Sequence, residues 1–295
     1  MSHALLFSLL RESSRSFYLT LRVLPGRIRP QIGLAYLLAR TSDTIADTEV
    51  LPVEQRIEAL RTYRECILES RVYSLELASL AQRQGSATDR VLLEKSGESL
   101  GLLQGMESND RQLIQGVLTT IISGQELDLR RFAGAGERHV LALDTHEDLD
   151  DYTYRVAGCV GEFWTRMCRA HLFPEADLVE GDFLARGIRF GKGLQLINIL
   201  RDLAADLRQG RCYLPVERLK SCGLLASDLL DASNEARLRP CYDQYLKLAG
   251  DHLAAGWAYT NLIPRKFIRV RLACAWPLLI GRDTLQLLKT APVLD

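Results

Sequence analysis

The chain has 295 residues, of which 47% are hydrophobic, and its 37 basic residues are balanced by 37 acidic ones. That hydrophobic fraction suffices for a sizeable core, and the absence of net positive charge argues against nucleic-acid binding through bulk electrostatics. The seven cysteines are odd in number and include no Cys-x-x-Cys pair, so we expect unpaired thiols in a reducing cytoplasm.

Neither a signal peptide nor a membrane span is expected. The N-terminal residues lack a basic region followed by a small-residue cleavage site. The best apolar run, Leu272 to Gly281, is far shorter than the roughly 18 residues that a span requires, and Arg271 and Arg282 flank it. We therefore expect a cytoplasmic protein without a transmembrane segment.

Helical periodicity dominates the chain and period-2 alternation is nearly absent, which predicts an all-α fold. Taken in order, the predicted helices cover about 3–20, 28–48, 52–70, 110 to a loop at 133–137, 147–171, 177–208, 233–262 and 265–289. Turn residues occur at Pro25-Gly26, at 82–86 and at 108–110, and Pro277 is expected to kink the last helix. No repeat, low-complexity tract or linker is evident, so we predict one domain, 1–295.

A polar line runs along the helix predicted at 28–48. Its members recur at i, i+4, i+7 and i+11 and therefore share one helix face: Tyr36, Arg40, Asp43 and Asp47. We call these residues the first aspartate stripe. Leucine and isoleucine occupy the other faces, so this is a polar line on an otherwise apolar helix.

A second polar line lies in the apolar run from Gly191 to Asp206. Its members recur at i, i+3, i+7 and i+11, within a sector of roughly 80°: Gln195, Asn198, Asp202 and Asp206. We call these the second aspartate stripe. Burying such side chains costs several kcal/mol unless something pairs with them, so a cation is expected.

Each stripe contains an Asp-x-x-x-Asp pair, and two carboxylates at this spacing repel each other on a bare helix. A divalent cation bound between the two carboxylates turns this repulsion into a net attraction. Oxygen ligands suit Mg²⁺, which binds one or two carboxylates together with substrate phosphates. A single pair is readily explained as surface decoration. Two pairs, each in line with further polar residues on an apolar helix, favour the metal interpretation.

The stripes belong to a longer series of motifs. Ser14-Arg15-Ser16-Phe17 comes first, Tyr152-x-x-x-Val156-Ala157-Gly158-x-x-Gly161 follows the first aspartate pair, and Gly210-Arg211-x-Tyr213-Leu214-Pro215 follows the second. In this order they resemble the squalene/phytoene synthases, enzymes that join two prenyl diphosphates head to head. The resemblance implies a single isoprenoid synthase-like helical bundle around a central apolar cavity.

The resemblance also implies roles for individual residues. It implies Mg²⁺ binding by Asp43, Asp47, Asn198, Asp202 and Asp206. It implies catalytic roles for these four aspartates and for Arg40, Arg201 and Tyr152. It implies substrate binding by Ser14, Ser16, Phe17, Tyr36, Val156, Ala157, Gly161, Gln195 and Asn198. Tyr152 matches the family tyrosine implicated in proton transfer during cyclopropane formation, whereas by itself it reads as a core tyrosine.

Gly158 and Gly161 lie inside a predicted helix, where each costs about 1 kcal/mol relative to alanine. One explanation is close packing against a second helix. The other is room for a long isoprenoid chain, and the resemblance favours the second.

The activity that the resemblance implies is condensation of two farnesyl diphosphates, through presqualene diphosphate, to squalene, with an NADPH-dependent second step. Leu272-Ala273-Cys274-Ala275-Trp276-Pro277 resembles the Cys-Ala-x-Pro turn of squalene synthases. A dehydrosqualene or phytoene synthase without reduction is the alternative, and a non-catalytic helical assembly or lipid-binding relative is a remote one.

Two features depart from the family pattern. Ala205 stands where many members have glutamate, and the chain ends at Asp295, whereas squalene synthases continue into a basic segment associated with the NADPH step. The basic cluster from Arg265 to Arg271 reads as a solvated face, or as a site that attracts anionic lipid headgroups or diphosphate. Handling an apolar substrate is compatible with peripheral contact at a membrane.

Overall fold

A computed structural model describes residues 17–48, 50–69, 80–82 and 86–294, and of Phe17 and Tyr18 it describes the backbone. Most of the helix predicted at 3–20 lies outside these residues. The chain divides into two compact units. The first contains the described residues up to Leu129 together with 163–176 and 266–273, and the second contains 130–162, 177–265 and 274–294.

The first unit is helical. Its helices are α1 (Phe17–Val23), α2 (Arg29–Asp47), α3 (Val53–Glu69), α4 (Ala87–Glu94), α5 (Ser96–Gln104) and α6 (Ser108–Arg131), of which the last two residues belong to the second unit. Helix α2 packs against α3, α4 and α5. Leu34, Leu38 and Ile45 are fully buried in this core, so the apolar faces of α2 provide its anchorage.

The second unit contains most of the remaining elements. They are β1 (Leu141–Ala142), α7 (His146–Thr153), a π-helical turn (Tyr154–Gly158), α8 (Cys159–His171), α9 (Glu180–Arg201), α10 (Leu203–Arg208), β2 (Arg211–Cys212), α11 (Val216–Ser221), 3₁₀ turns (Ala226–Leu230 and Ala232–Asn234), α12 (Glu235–Leu262) and α13 (Ile268–Leu288). Residues 163–171 of α8 and 268–273 of α13 belong to the first unit. The strongest packing is that of α9 against α12.

The predicted all-α fold is confirmed, and the predicted helices at 28–48, 52–70, 233–262 and 265–289 are each found within about three residues of their expected ends. All seven cysteines are free thiols, as expected. Within the described ranges, no helix combines the length and the apolar character that crossing a bilayer requires.

Three local features differ from the prediction. The helix expected at 147–171 contains the π-helical turn, and the one expected at 177–208 is interrupted at Asp202, where φ is −95° and ψ is 7°. The two-residue strands β1 and β2 pair in parallel. The π-helical turn adds one residue to one helical turn, and each strand has only two residues. Features this short have little effect on hydrophobic periodicity, so the sequence pattern did not reveal them.

Candidate active site

Helix α2 leaves one face accessible, and it is the face predicted from residue spacing. The flanking positions Leu37, Leu38 and Ile45 are buried to 1% exposure or less. All four members of the first aspartate stripe retain exposure. Burial raises the pKa of Tyr36, and Arg40 opposes that rise.

Asp43 is held by side chains from its own helix and from α6. The Gln125 side-chain amide, on α6, donates to Asp43 Oδ1 at 2.7 Å, and Arg40 Nη1 lies 4.0 Å from Oδ2. Desolvation, followed by repulsion from Asp47, raises the pKa of Asp43 to about 6, although Arg40 and Gln125 oppose this. A cation placed between Asp43 and Asp47 would relieve the repulsion that contributes to this raised pKa.

Arg40 is held between two carboxylates. Its Nη2 donates to Asp89 Oδ1 on α4 at 3.3 Å, and the Thr44 hydroxyl donates to the same oxygen at 3.2 Å. Asp89 is itself placed by the start of α4, because its N–H donates to the Ser86 side chain. The guanidinium therefore has a fixed orientation beside Asp43.

Gln125 and Asp89 were not predicted as site residues from the sequence. They lie 82 and 49 residues from their partners, so spacing could not pair them. Gln125 and Asp128 lie three residues apart on the helix that became α6, but Ser123, Glu126 and Arg130 lie beside them, so this pair did not stand out in the sequence.

The members of the second aspartate stripe still share one face, although the helix is interrupted between α9 and α10. The Asp202 N–H donates to Asn198 O and the Asp206 N–H donates to Asp202 O, each at 2.9 Å, so the helical phase continues. The four members of the stripe are half-buried, while the intervening Leu200, Leu203 and Leu207 are buried. The predicted face is therefore the accessible one.

Arg201 forms a two-point ion pair with the carboxylate next to it. Its Nε lies 2.8 Å from Asp202 Oδ1 and its Nη2 lies 2.6 Å from Oδ2. This hydrogen bonding raises the pKa of Arg201. The side chains are 51% and 43% exposed, and exposed ion pairs are worth about 0–1 kcal/mol, so the pair is easily exchanged for other partners.

The donor chemistry of both stripes fits Mg²⁺. Carboxylate and amide oxygens are the hard ligands that this ion binds. Among the residues that the structure describes, no three His, Cys, Asp or Glu side chains gather as a metal-binding group. Each unit provides one aspartate pair, and the metal roles of Asp43, Asp47, Asn198, Asp202 and Asp206 remain predictions.

Tyr152 lies in a group of three aromatic rings. Its ring stacks on Tyr213 with centroids 4.7 Å apart and planes at 25°, and Phe132 meets Tyr213 edge-on at 5.2 Å. Neither Tyr213 nor Phe132 was assigned a role from the sequence, although Tyr213 lies in the Gly-Arg-x-Tyr-Leu-Pro motif.

The strands that the sequence pattern missed place Tyr213. The Leu141 N–H donates to Gly210 O at 2.9 Å and the Leu143 N–H donates to Cys212 O at 3.1 Å, which ties the residues before Tyr213 to the segment that precedes α7. Gly210 has φ +79°, and a Cβ there would lie 2.2 Å from Gly136 N, so only glycine fits.

The expected use of Gly158 and Gly161 is wrong. A Cβ on Gly161 would lie 2.0 Å from Gly187 O, and a Cβ on Gly158 would lie 3.1 Å from both Lys192 Cγ and Tyr154 Cδ2. Helix α9 fills the space on that side, so these glycines allow close helix packing rather than room for an isoprenoid chain.

Gly191, on α9, likewise allows close packing against the π-helical turn. A Cβ on Gly191 would lie 2.1 Å from Ala157 O, so the carbonyl of Ala157 is engaged in the same helix contact. Val156 is half-buried. Ser14 and Ser16 lie outside the described residues, and Phe17 is described as the first residue of α1.

The fold is that of helical isoprenoid synthases. The chain resembles the structure of the squalene synthase TcSQS bound to the ligand BPH1237, with a TM-score of 0.79 and 22% identity over 99% of this chain and 80% of that one. A ligand-bound dehydrosqualene synthase gives 0.70 and 22%, covering 99% and 88%. Squalene synthase HpnC from Alicyclobacillus acidocaldarius gives 0.67 and 20%, covering 96% and 91%.

A sequence profile described as "Squalene/phytoene synthase" matches residues 10–293. The chain therefore belongs to the squalene/phytoene synthase family, whose members are prenyltransferases. A presqualene diphosphate synthase from Rhodopseudomonas palustris is 31% identical over 86% of this chain and 77% of that protein.

Other relatives are longer than this chain. A bifunctional lycopene cyclase/phytoene synthase from Gibberella fujikuroi is 30% identical over 76% of this chain, and the match spans 37% of that protein. A squalene synthase from Schizosaccharomyces pombe is 24% identical over 95% of this chain and 58% of that protein. The matches to the Gibberella fujikuroi enzyme and to two further bifunctional enzymes of the same kind span between 35% and 39% of the length of those proteins.

Proposed function

We propose that this protein condenses two molecules of farnesyl diphosphate head to head, through presqualene diphosphate, to squalene, with Mg²⁺ for diphosphate departure and NADPH for the second step. The observation that carries the proposal is the pair of accessible aspartate stripes on α2 and on α9–α10, in the order found in the squalene/phytoene synthase family. We take residues 1–295 as one catalytic domain, because the family profile matches residues of both units.

The diphosphate groups are bound by the two stripes. Mg²⁺ held by Asp43 and Asp47, and by Asn198, Asp202 and Asp206, would neutralise the oxygens of the leaving diphosphate. Arg40 and Arg201 present guanidinium groups beside these carboxylates, and a planar fork suits phosphate oxygens as well as carboxylates. Gln195 and Asn198 order the second diphosphate through metal or water.

The aromatic side chains of Tyr152, Tyr213 and Phe132 shield the reacting carbons from water and stabilise positive charge on them. Water quenches a carbocation, so the surrounding side chains must exclude it. The stacked rings of Tyr152 and Tyr213 offer π faces that stabilise a passing cation. The Tyr152 hydroxyl accepts or returns the proton during cyclopropane formation, while Tyr36 contributes a further aromatic face from α2.

The experiment that tests the proposal is a product assay. The protein is incubated with Mg²⁺ and labelled farnesyl or geranylgeranyl diphosphate, with and without NADPH. We expect presqualene diphosphate from farnesyl diphosphate without NADPH and squalene with it. The absence of turnover with either substrate would overturn the proposal.

A dehydrosqualene or phytoene synthase is the second candidate, favoured by the phytoene synthase portions of the longer relatives. Dehydrosqualene formed without NADPH, or phytoene formed from geranylgeranyl diphosphate, would establish it instead. If presqualene diphosphate is the final product both with and without NADPH, the proposed condensation stands and the proposed reductive step is wrong.

A further inference from the structure

Helix α13 exposes apolar side chains where a surface helix is normally polar. Six of its residues are large, apolar and exposed, and we call them the apolar face of α13: Ile268, Leu272, Trp276, Leu279, Ile280 and Leu287. At 100° per residue they fall within an arc of about 120°, along about 28 Å of one continuous helix. Ile280 and Leu287 are 63% and 69% exposed.

The opposite side of α13 provides the packing. Leu278 and Leu285 are buried, and a Cβ on Gly281 would lie 3.0 Å from Ile197 Cδ1 of α9. Within the described ranges, α13 is therefore anchored through its opposite side, and its apolar face stays exposed. Two charged residues, Arg269 and Asp283, also fall within the arc of this face, and Asp283 is ion-paired with Arg282. A large exposed apolar strip of this kind marks an interaction surface.

The charges around this face identify the partner. From His252 to Arg282 the chain contains five Lys and Arg residues and no Asp or Glu. Arg265, Lys266 and Arg269 are exposed at the start of α13, beside the first half of the apolar face. Arg282 pairs with Asp283 at 2.9 Å, so the positive charge is concentrated at the N-terminal end of the helix.

Apolar side chains beside clustered basic residues are what a bilayer interface with anionic headgroups binds. A second copy of the chain docking through the same face with its helix parallel would bring two basic clusters together, which electrostatic repulsion disfavours, and an antiparallel copy would leave each cluster without an anionic partner. We propose that the apolar face of α13 docks this protein on the surface of a membrane that contains anionic phospholipid, without spanning it. The inference does not depend on the proposed reaction, although docking would bring an apolar product to the bilayer.

Vesicle sedimentation tests the docking. The full chain is mixed with vesicles of phosphatidylcholine alone or of phosphatidylcholine with phosphatidylglycerol. We expect binding to the mixed vesicles, weakened by salt because part of the attraction is electrostatic. A double variant, Ile280→Glu with Leu287→Glu, should lose at least about tenfold in vesicle affinity, since it places charge where apolar contact is required.

Two further variants separate the causes. Val179→Glu changes a 78% exposed apolar residue outside α13 and should bind like the original chain. Replacing Arg265, Lys266 and Arg269 together by Gln should remove the preference for phosphatidylglycerol and the salt dependence. Circular dichroism checks that the variants remain folded, as expected for substitutions at exposed positions.

Trp276 provides a direct readout, because it is the most exposed of the three tryptophans. Mixed vesicles should shift the fluorescence to shorter wavelength, and Trp276→Phe should lose that shift. The inference is overturned if the double variant binds as well as the original chain, or if no binding occurs. It is also overturned if the face instead mediates self-association that the double variant abolishes.

Discussion

The two aspartate pairs have the same spacing but different supports. Asp43 is fixed by Gln125, a residue 82 positions away, whereas Asp202 is paired with the arginine that directly precedes it. The two side chains are almost equally exposed, at 46% and 43%. Exposure therefore does not distinguish them, and their hydrogen-bond partners do.

The difference shows that the same Asp-x-x-x-Asp motif can have two different electrostatic environments. At the first pair, desolvation by the groups packed around Asp43 and repulsion from Asp47 raise the pKa of Asp43 to about 6, so a cation there would relieve the repulsion between two carboxylates. At the second pair, the Arg201 fork already neutralises Asp202, so a cation must displace an arginine. The first state comes from tertiary packing and the second from adjacent residues.

The largest effect is expected from removing either pair. Asp43→Asn and Asp202→Asn should each lower turnover of labelled farnesyl diphosphate by on the order of 10²–10³-fold, because each removes a charge that stabilises the leaving diphosphate. Asp182→Asn is the matched control, since Asp182 pairs with Arg186 on α9 and should be dispensable. If one of the two variants kept full activity, the corresponding pair would have no catalytic role.

Gln125→Leu tests whether tertiary support of Asp43 matters for the metal. Losing the 2.7 Å hydrogen bond should weaken Mg²⁺ binding by about tenfold, the usual effect of removing a partner that orients a ligand. Calorimetric Mg²⁺ titration without substrate measures this, and so does the Mg²⁺ concentration for half-maximal activity.

The matched control for Gln125 is Gln115→Leu on the same helix. The Gln115 amide donates to the backbone carbonyls of Ile67 and Leu68 on α3, at 2.8 Å and 3.3 Å, instead of to a carboxylate of the stripe, so its loss should leave Mg²⁺ binding unchanged. If Gln125→Leu and Gln115→Leu bind Mg²⁺ with equal affinity, Gln125 contributes to packing and not to the metal site.

The two arginines should differ in their contribution to stability. Arg40→Gln disrupts contacts to both Asp43 and Asp89 and should lower the free energy of unfolding by about 1–2 kcal/mol. Arg201→Gln breaks one exposed pair and should cost less than about 1 kcal/mol. Urea unfolding measures both, and a larger loss for Arg201→Gln would reverse the comparison.

The smallest effect is a pH dependence from Asp43. Because its folded pKa of about 6 exceeds the ordinary value of 3.8, the folded state binds the proton more tightly than the unfolded state between these values. Stability should therefore fall as the pH rises from about 4 to 6, by about 1 kcal/mol once solvent screening is allowed for.

Comparing the original chain with Asp43→Asn isolates this effect. The free energy of unfolding, measured without Mg²⁺, should lose the Asp43 component of its pH dependence in the variant. Adding Mg²⁺ above pH 6 should restore stability to the original chain and not to the variant. Identical pH profiles would show that Asp43 titrates as an ordinary surface carboxyl.

The sequence by itself determined the features that depend on local geometry. Helix geometry fixes which residues share a face, so both stripes, including Arg40 and Asn198, were predicted from spacing and are accessible in the structure. Proline positions and apolar periodicity located the ends of α2 and α3. The order of the motifs was sufficient to identify the family.

Tertiary structure decided what depends on residues that are distant in the chain. Gln125 reaches Asp43, and the pairing of β1 with β2 places Tyr213 on Tyr152, through contacts that no local pattern encodes. Gly158 and Gly161 were interpreted wrongly for the same reason, because a glycine in a helix does not reveal whether a second backbone or open space lies beside it. Packing brings such partners together, and periodicity in one segment carries no information about the segment that packs against it.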